Sequence, residues 1–209
     1  MISRSHLSAL LAIAAVLWGT LLMLSGTSVS FEFFKPFSTV IGALVLILTL
    51  FDKWLWRLPI LHPWFVATPD LQGTWKGTIA STWIDPKTNN TLPPIEAYLV
   101  IKQTFSSIHL RMFTKESESE SVAGEIVRER DGCLNIAGVY RNTPKLLLRQ
   151  ESPIHHGGKL LHVRGEPPDT LEGQYWTDRN TKGEMKFTAQ EKAMYHNFES
   201  ASMGKYRKK

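Results

Sequence analysis

The run Gly73-Thr-Trp-Lys-Gly-Thr-Ile-Ala-Ser-Thr-Trp-Ile84 has a period of two residues. Its large apolar and small side chains stand at every second position, and most of the positions between them hold threonine or lysine. Because the side chains of a strand point alternately to its two faces, the run predicts a half-buried β-strand. Gly73 and Gly77 would let this strand bend sharply, and Trp75 could fill the floor of an enclosed sheet.

The same alternation continues along most of the chain that follows. We expect further strands at Ile95–Thr104, Ile108–Lys115, Val122–Arg130, Leu134–Arg141, Lys145–Gln150, Lys159–Gly165, Leu171–Asp178 and Met185–Ala189. Asp131-Gly132 predicts a tight turn, and residues 116–121 and 153–158 are interpreted as a loop and a turn. About eight or nine short strands at this spacing, with no helix between them, favour a small closed antiparallel β-barrel of about eight strands over residues 71–191.

Two apolar runs precede the first strand. Residues 7–24 are 18 positions without a charge. A second uncharged run of 15 residues, 37–51, is followed by Asp52 and Lys53, and Trp54 and Trp56 extend the second span to about residues 37–56. A helix of about 20 apolar residues crosses the hydrocarbon of a bilayer. A signal peptide has a shorter apolar core, and a buried soluble hairpin needs a large core to cover it. We therefore expect a transmembrane helical hairpin over residues 1–57 and a membrane-anchored all-β protein.

The charges at the ends of the two spans predict their orientation. Arg4 precedes the first span, and Lys53 and Arg57 follow the second. By the positive-inside bias, both termini and the barrel face the cytoplasm. Prolines make residues 58–70 a linker between the hairpin and the barrel. The net charge is +5, and residues 192–209 form a basic C-terminal tail, which either lies against anionic lipid or stays solvated.

The motifs of common enzymes are missing from the sequence. It contains no glycine-rich phosphate loop, no Gly-x-Ser-x-Gly, no His-Glu-x-x-His and no set of cysteines for zinc. His155 and His156 are adjacent, so an extended chain points them to opposite sides, and they have no third ligand at metal spacing. We expect no enzymatic activity, no metal and no cofactor.

The predicted closing hairpin, residues 171–187, carries the most chemistry. Alternation places Tyr175 and Thr177 on one face and brings Arg179 to its end. Arginine can bind a phosphate with two hydrogen bonds, Thr177 and Thr181 can donate to its oxygens, and Tyr175 or Trp176 offers a ring for a base. The alternative is that Arg179 begins an exposed turn and that the aromatic residues belong to the core.

The arrangement of these motifs resembles a known family. Two apolar spans are followed by a barrel that opens with Leu71-Gln-Gly-Thr-Trp-Lys-Gly77 and closes with Gly173-Gln-Tyr-Trp-Thr-Asp-Arg-Asn-Thr-Lys-Gly183. This is similar to the two-transmembrane, β-strand-rich effectors associated with bacterial cyclic-oligonucleotide synthases, in the anti-phage signalling systems called CBASS. The resemblance implies that the barrel binds a cyclic dinucleotide made by such a synthase, that the proteins self-associate, and that the spans then disrupt the bacterial inner membrane in an abortive infection.

A cyclic dinucleotide has two phosphates and two bases, so further side chains must line its site. Additional candidates are Trp83, Tyr98, Arg111 and Tyr140, although alternation turns Arg111 away from its apolar neighbours. Two other functions compete with the receptor. A membrane-tethered, lipocalin-like carrier of an apolar ligand would lack polar groups inside its barrel, and a structural or assembly protein with a filled barrel would bind no small molecule.

Overall fold

The computed structural model of the chain describes residues 4–24, 26, 31–85 and 88–208. It divides into two compact units. The first comprises residues 1–67 and 104–106, and the second comprises residues 68–103 and 107–209. Each unit is described by itself below.

The first unit contains two α-helices, α1 (Arg4–Leu24) and α2 (Phe31–Lys53), and two short 3-10 helices at Leu55–Arg57 and Pro59–Leu61. Both apolar runs are therefore largely helical. Within the part of the chain that the structure describes, no helix is long and apolar enough to cross a membrane.

Residues 104–106 join this first unit through the C-terminal end of α2. The backbone nitrogen of Phe105 donates to the carbonyl oxygen of Asp52 at 2.9 Å, and that of Ser106 donates to the Asp52 carboxylate at 2.8 Å. The ring of Phe105 packs edge-on against Phe51, with 5.0 Å between centroids, and also lies beside Trp56. The end of α2 is thus held by a segment that lies about fifty residues later in the chain.

The second unit is a closed antiparallel barrel of eight strands. They are β1 (Gly73–Ser81), β2 (Ile95–Gln103), β3 (Ile108–Phe113), β4 (Ser117–Arg128), β5 (Leu134–Pro144), β6 (His155–Arg164), β7 (Thr170–Thr177) and β8 (Lys182–Glu191). Each strand pairs with the next, and β8 pairs with β1 to close the barrel. The register between β1 and β8 shifts at Lys76 and Gly77, where a side chain on Gly77 would collide with the backbone of β8. The closed barrel predicted from the alternating pattern is confirmed.

The floor of the barrel is apolar, as alternation requires. Trp75 is fully buried there, as expected, and its indole nitrogen donates to the Leu71 carbonyl oxygen at 2.9 Å. The inward residues packed around it come from most of the strands: Leu99, Ile101, Leu110, Ile136, Leu161, Leu171 and Phe187. Burying each such side chain contributes about 1.5–3 kcal/mol to stability.

Three local predictions are wrong. Residues 117–121 were expected to form a loop but belong to β4, because the serines of Ser-Glu-Ser-Glu-Ser face inward while the glutamates face solvent. The expected strand 145–150 contains a 3-10 helix at Leu146–Leu148 instead. The expected turn 153–158 ends early, because β6 begins at His155.

The predicted C-terminal tail also proves to be structured. It forms a short helix, α3 (Phe198–Ser202), capped by the Asn197 side chain, and a short strand, β9 (Arg207–Lys208), paired with β8. Phe198 and Tyr206 pack against Tyr98 on the outside of the barrel, with ring centroids 5.4 and 5.5 Å away. The aromatic residues between the lysines and arginines explain why this segment packs on the barrel instead of remaining solvated.

The packing of this segment gives a first prediction. We expect Phe198→Ala to lower the free energy of unfolding by about 2 kcal/mol, because it removes a partly buried ring from Tyr98. Met203→Ala, in the same segment but 81% exposed, is the matched control. Thermal unfolding of the full chain in detergent measures both variants. Equal melting temperatures for the two variants would mean that the segment adds no stability.

Candidate functional site

One end of the barrel opens into a polar cavity of about 600 Å³, which we call the mouth cavity. Its lining mixes apolar side chains with a larger set of polar and aromatic ones: Ser81, Trp83, Thr114, Glu116, Ser117, Tyr140, Asn142, Glu151, Ser152, His155, Tyr175, Thr177, Arg179 and Thr181. The volume is within the range of small-molecule sites. Six of the nine residues predicted for the ligand site line this cavity: Arg179, Thr177, Tyr175, Thr181, Trp83 and Tyr140.

The turn between β7 and β8 carries Arg179 at the rim. The Thr177 hydroxyl lies 2.7 Å from that of Thr181 and accepts hydrogen bonds from the backbone nitrogens of Arg179 and Thr181, both at 3.3 Å. Asn180 adopts a left-handed conformation, with φ of 60°, that asparagine tolerates well. The two hydroxyls therefore stabilise the turn by hydrogen bonds within it, whereas the sequence predicted them as donors to a phosphate.

The guanidinium of Arg179 is held without a counter-charge. One of its nitrogens donates to the Ser152 hydroxyl at 3.0 Å. Among the residues that the structure describes, no carboxylate lies within 4.0 Å of it. An exposed guanidinium already oriented by a neutral partner keeps most of its donors for an anionic ligand.

Two tyrosines narrow the cavity below the rim. Tyr140 of β5 is almost fully buried, and Tyr175 of β7 is partly buried. Two glycines leave the space that these rings occupy: a side chain on Gly157 would strike the Tyr140 hydroxyl, and one on Gly183 would strike the Tyr175 ring. Burial, with a smaller contribution from Tyr175, raises the pKa of Tyr140 well above its ordinary value, so its hydroxyl stays neutral and can donate.

His155 faces the mouth cavity, while its neighbour His156 lies on the other side of β6 beside Asp178. The Nδ1 atom of His155 is 3.0 Å from the carbonyl oxygen of Pro153. Burial lowers the pKa of His155, and the charge of Arg179 lowers it further, so the imidazole is neutral at pH 7. Sequence reasoning placed His155 in a turn and missed it, although its alternation with Lys159 and Leu161 was visible.

Lys159 is the second residue that sequence reasoning missed. It is 1% exposed, and its ammonium has no hydrogen-bond partner in the part of the chain that the structure describes. The Nζ atom lies 4.9 Å from the centroid of the Tyr140 ring. Burial lowers the pKa of Lys159 from 10.5 to about 8. The available signal was alternation, because Lys159 stands two positions before Leu161, an inward residue of the same strand.

Three predicted ligand residues lie on the outer surface, because each is at the wrong position in the alternation of its strand. Tyr98 packs under the C-terminal segment. Arg111 forms ion pairs with Glu118 at 3.2 Å and with Glu120 at 3.1 Å. Trp176 lies over Gly158 in a shallow groove on the outside of β4–β7. None of these three residues lines the mouth cavity.

Comparison with known proteins covers this part of the chain. Residues 66–189 match the family model described as "Cap15, cyclic dinucleotide receptor domain". The chain is 24% identical over 136 residues to the CD-NTase-associated protein 15 of Staphylococcus schleiferi, a match covering 65% of this chain and 69% of that protein. It is 28% identical over 151 residues to the protein of the same name from Yersinia aleksiciae, covering 68% of this chain and 65% of that protein. The described mouth-cavity residues lie within the matched range.

The buried ammonium gives a second prediction. With a pKa of about 8 in the folded protein and 10.5 as its ordinary value, protonated Lys159 destabilises the fold at all pH values below 8. We expect Lys159→Met to raise the free energy of unfolding at pH 7 by about 3 kcal/mol. The difference in free energy of unfolding between this variant and the wild type should shrink between pH 8 and 10.5, because the wild-type lysine is then neutral in the folded state.

Unfolding of the full chain in detergent, followed across this pH range, measures the effect. Lys102→Met, at an exposed position of β2, is the matched control and should change stability little. A variant at position 159 that is less stable than the wild type at pH 7 would contradict the account of a buried, unpaired charge.

Proposed function

We propose that this chain, which belongs to the Cap15 cyclic dinucleotide receptor domain family, is a membrane-anchored effector. Its barrel would bind a cyclic dinucleotide. The mouth cavity is the proposed site. The role is binding without catalysis, and the signal comes from a CD-NTase, the class of enzyme in the names of the two relatives. Anti-phage defence of the CBASS type, through abortive infection, is the proposed setting.

A single observation carries this proposal: the mouth cavity combines an arginine, which has no carboxylate partner among the described residues, with aromatic rings and neutral donors. Arg179 supplies a cation at the rim, and Trp83, Tyr140 and Tyr175 supply ring surfaces. A cyclic dinucleotide presents phosphates that the arginine can bind and bases that can stack on the rings. The amide of Asn142 and the carboxylates of Glu116 and Glu151 are in the same lining and can pair with base edges.

The polar lining also argues against the two competing functions. A carrier of apolar ligands would have to cover polar groups of this lining, such as the partly buried Asn142, with its ligand, which costs free energy for each group left without a partner. A structural protein with a filled barrel would not need an open cavity of about 600 Å³. The receptor uses both the space and the polar groups.

We also propose that α1 and α2 form the transmembrane hairpin and that the barrel faces the cytoplasm at the bacterial inner membrane. The uncharged run of residues 7–24 and the flanking Lys53 and Arg57 support this arrangement. Apolar side chains of α2 are also exposed, with Leu44, Val45, Leu46, Ile47 and Leu48 between 42% and 60% accessible. Lipid would cover them. Ligand binding would favour a self-associated state in which the helices disrupt the membrane.

Ligand binding gives a third prediction. We expect one of cyclic di-GMP, cyclic di-AMP, cyclic di-UMP and cyclic GMP–AMP to raise the melting temperature of the full chain in detergent, with no response to linear dinucleotides or fatty acids. Arg179→Ala should weaken its binding by about 10- to 100-fold, because a charged hydrogen-bonding group is lost. Isothermal titration calorimetry measures the affinities.

Arg164→Ala is the matched control for Arg179→Ala. Arg164 ends β6 at the opposite end of the barrel and pairs with Glu172 at 3.3 Å, so its loss should leave the affinity unchanged. Equal weakening by both substitutions would show a nonspecific charge effect and contradict the proposed site. Stabilisation by fatty acids alone would favour the carrier.

The membrane role gives a fourth prediction. In liposomes loaded with a self-quenched dye, we expect the wild type to release dye only after the cyclic dinucleotide is added. Ile47→Lys should abolish release while ligand affinity stays unchanged, because a charge in the bilayer centre costs about 3 kcal/mol. Ile47→Leu is the control and should behave like the wild type. Dye release that is independent of ligand, or protein washed off the liposomes at alkaline pH, would contradict this role.

A further inference from the structure

Among the described residues, the ammonium of Lys159 has neither a hydrogen-bond partner nor a carboxylate to explain its position inside the barrel. Its Cα is paired in register with Gly138 of β5 and with Tyr175 of β7, neither of which provides a charge. The Tyr140 ring, which lines the mouth cavity, lies 4.9 Å from its Nζ atom. Leu161, two residues further along the same face, is fully buried in the apolar core. The ammonium thus lies close to a ring that lines the mouth cavity and on the same strand face as a residue of the apolar core.

This position is unfavourable for the protein without ligand. A buried charge without a hydrogen-bonding counter-ion loses its hydration and gains little in return, and an attraction to the face of one ring compensates only part of that loss. A methionine or leucine would fill the same space without this cost. Burial of the charged ammonium becomes favourable once an anion occupies the space beside Tyr140 and pairs with it.

We propose that Lys159 is the deep phosphate-binding residue of the receptor. Its ammonium donates to one phosphate of the cyclic dinucleotide beside Tyr140, while Arg179 binds the other phosphate at the rim. This inference rests on the proposed function. It adds Lys159 to the proposed site and places one phosphate of the ligand deeper in the barrel than Arg179. The ligand enters with one phosphate leading, and the rings of Tyr140 and Tyr175 flank the macrocycle between the two cations.

A second buried donor supports an anion or base at this depth. The Ser119 hydroxyl of β4 is 1% exposed and has no hydrogen-bond partner among the described residues. Ser119 pairs in register with Asn142, which lines the mouth cavity. Buried polar groups in native proteins are nearly always satisfied. Two unsatisfied donors, on β4 and β6, therefore lie beside residues that line the mouth cavity, where a polar ligand could complete them.

The arrangement couples binding to proton uptake. The titratable side chains beside Lys159 or in the lining of the mouth cavity are Tyr140, Tyr175, His155, Arg179, Glu116 and Glu151. The ammonium is buried and has no hydrogen-bond partner among the described residues, and the pKa of about 8 leaves roughly half of the lysine neutral at that pH. The single negative charge of a phosphodiester beside Lys159 would raise the pKa of the lysine, so that ligand binding protonates it.

The test uses isothermal titration calorimetry of the full chain in detergent at pH 8, in two buffers of different ionisation enthalpy. The probes are cyclic di-GMP, cyclic di-AMP, cyclic di-UMP and cyclic GMP–AMP. We expect the wild type to take up about half a proton per bound ligand. Lys159→Met should bind about 10- to 100-fold more weakly and take up no proton at pH 8. Lys102→Met should match the wild type in both respects.

The outcomes separate this inference from the function on which it rests. If a probe binds the wild type without proton uptake, and Lys159→Met binds it equally well, the inference is overturned while the receptor function stands. Arg179→Ala should weaken binding but keep the proton uptake, since Lys159 remains. If none of the four probes binds the wild type, the proposed function fails and the inference fails with it.

Discussion

The pairing of β1 with β8 is the constraint on which the rest of the barrel depends. It converts a meander of hairpins into an enclosed surface, so that each inward side chain is removed from water on all sides. The low pKa of Lys159 and the high pKa of Tyr140 are both consequences of that enclosure. An open sheet would hydrate the ammonium and leave no cavity to hold a ligand.

Enclosure also sorts the inward residues by depth. Toward one end, large apolar residues such as Trp75 and Phe187 fill the interior completely. Toward the other end, glycines and small polar residues leave space, and Tyr140 and Tyr175 occupy part of it. The same strands therefore provide a rigid base and a polar mouth. The turn that presents Arg179 is held by hydroxyl groups of the chain itself, so the cation is positioned before any ligand arrives.

Alternation in the sequence was sufficient to predict the closed barrel, and the sequence also predicted six of the residues that line the mouth cavity. Tyr175 and Thr177 lie on one face of β7, and Arg179 follows in the turn to β8, so the sequence of a single hairpin was enough to group them. Tyr98, Arg111 and Trp176 were predicted for their chemistry, with alternation turning Arg111 away and leaving the orientation of Tyr98 open, and each lies on the outer side of its strand. Composition suggested a loop at the serines of β4, and Lys159 was not singled out, whereas burial follows from register with neighbouring strands. The family resemblance is confirmed for the receptor domain, and the membrane hairpin stays a prediction.

The proposed receptor would offer its ligand two cations, Arg179 and Lys159, and two rings, Tyr140 and Tyr175. The most direct test is a structure of the protein with the tightest-binding cyclic dinucleotide. The account predicts that one phosphate lies within hydrogen-bond distance of Arg179 and the other within that distance of Lys159, with Tyr140 beside the ligand. A ligand bound instead in the outer groove, between Trp176 and Gly158, would contradict it.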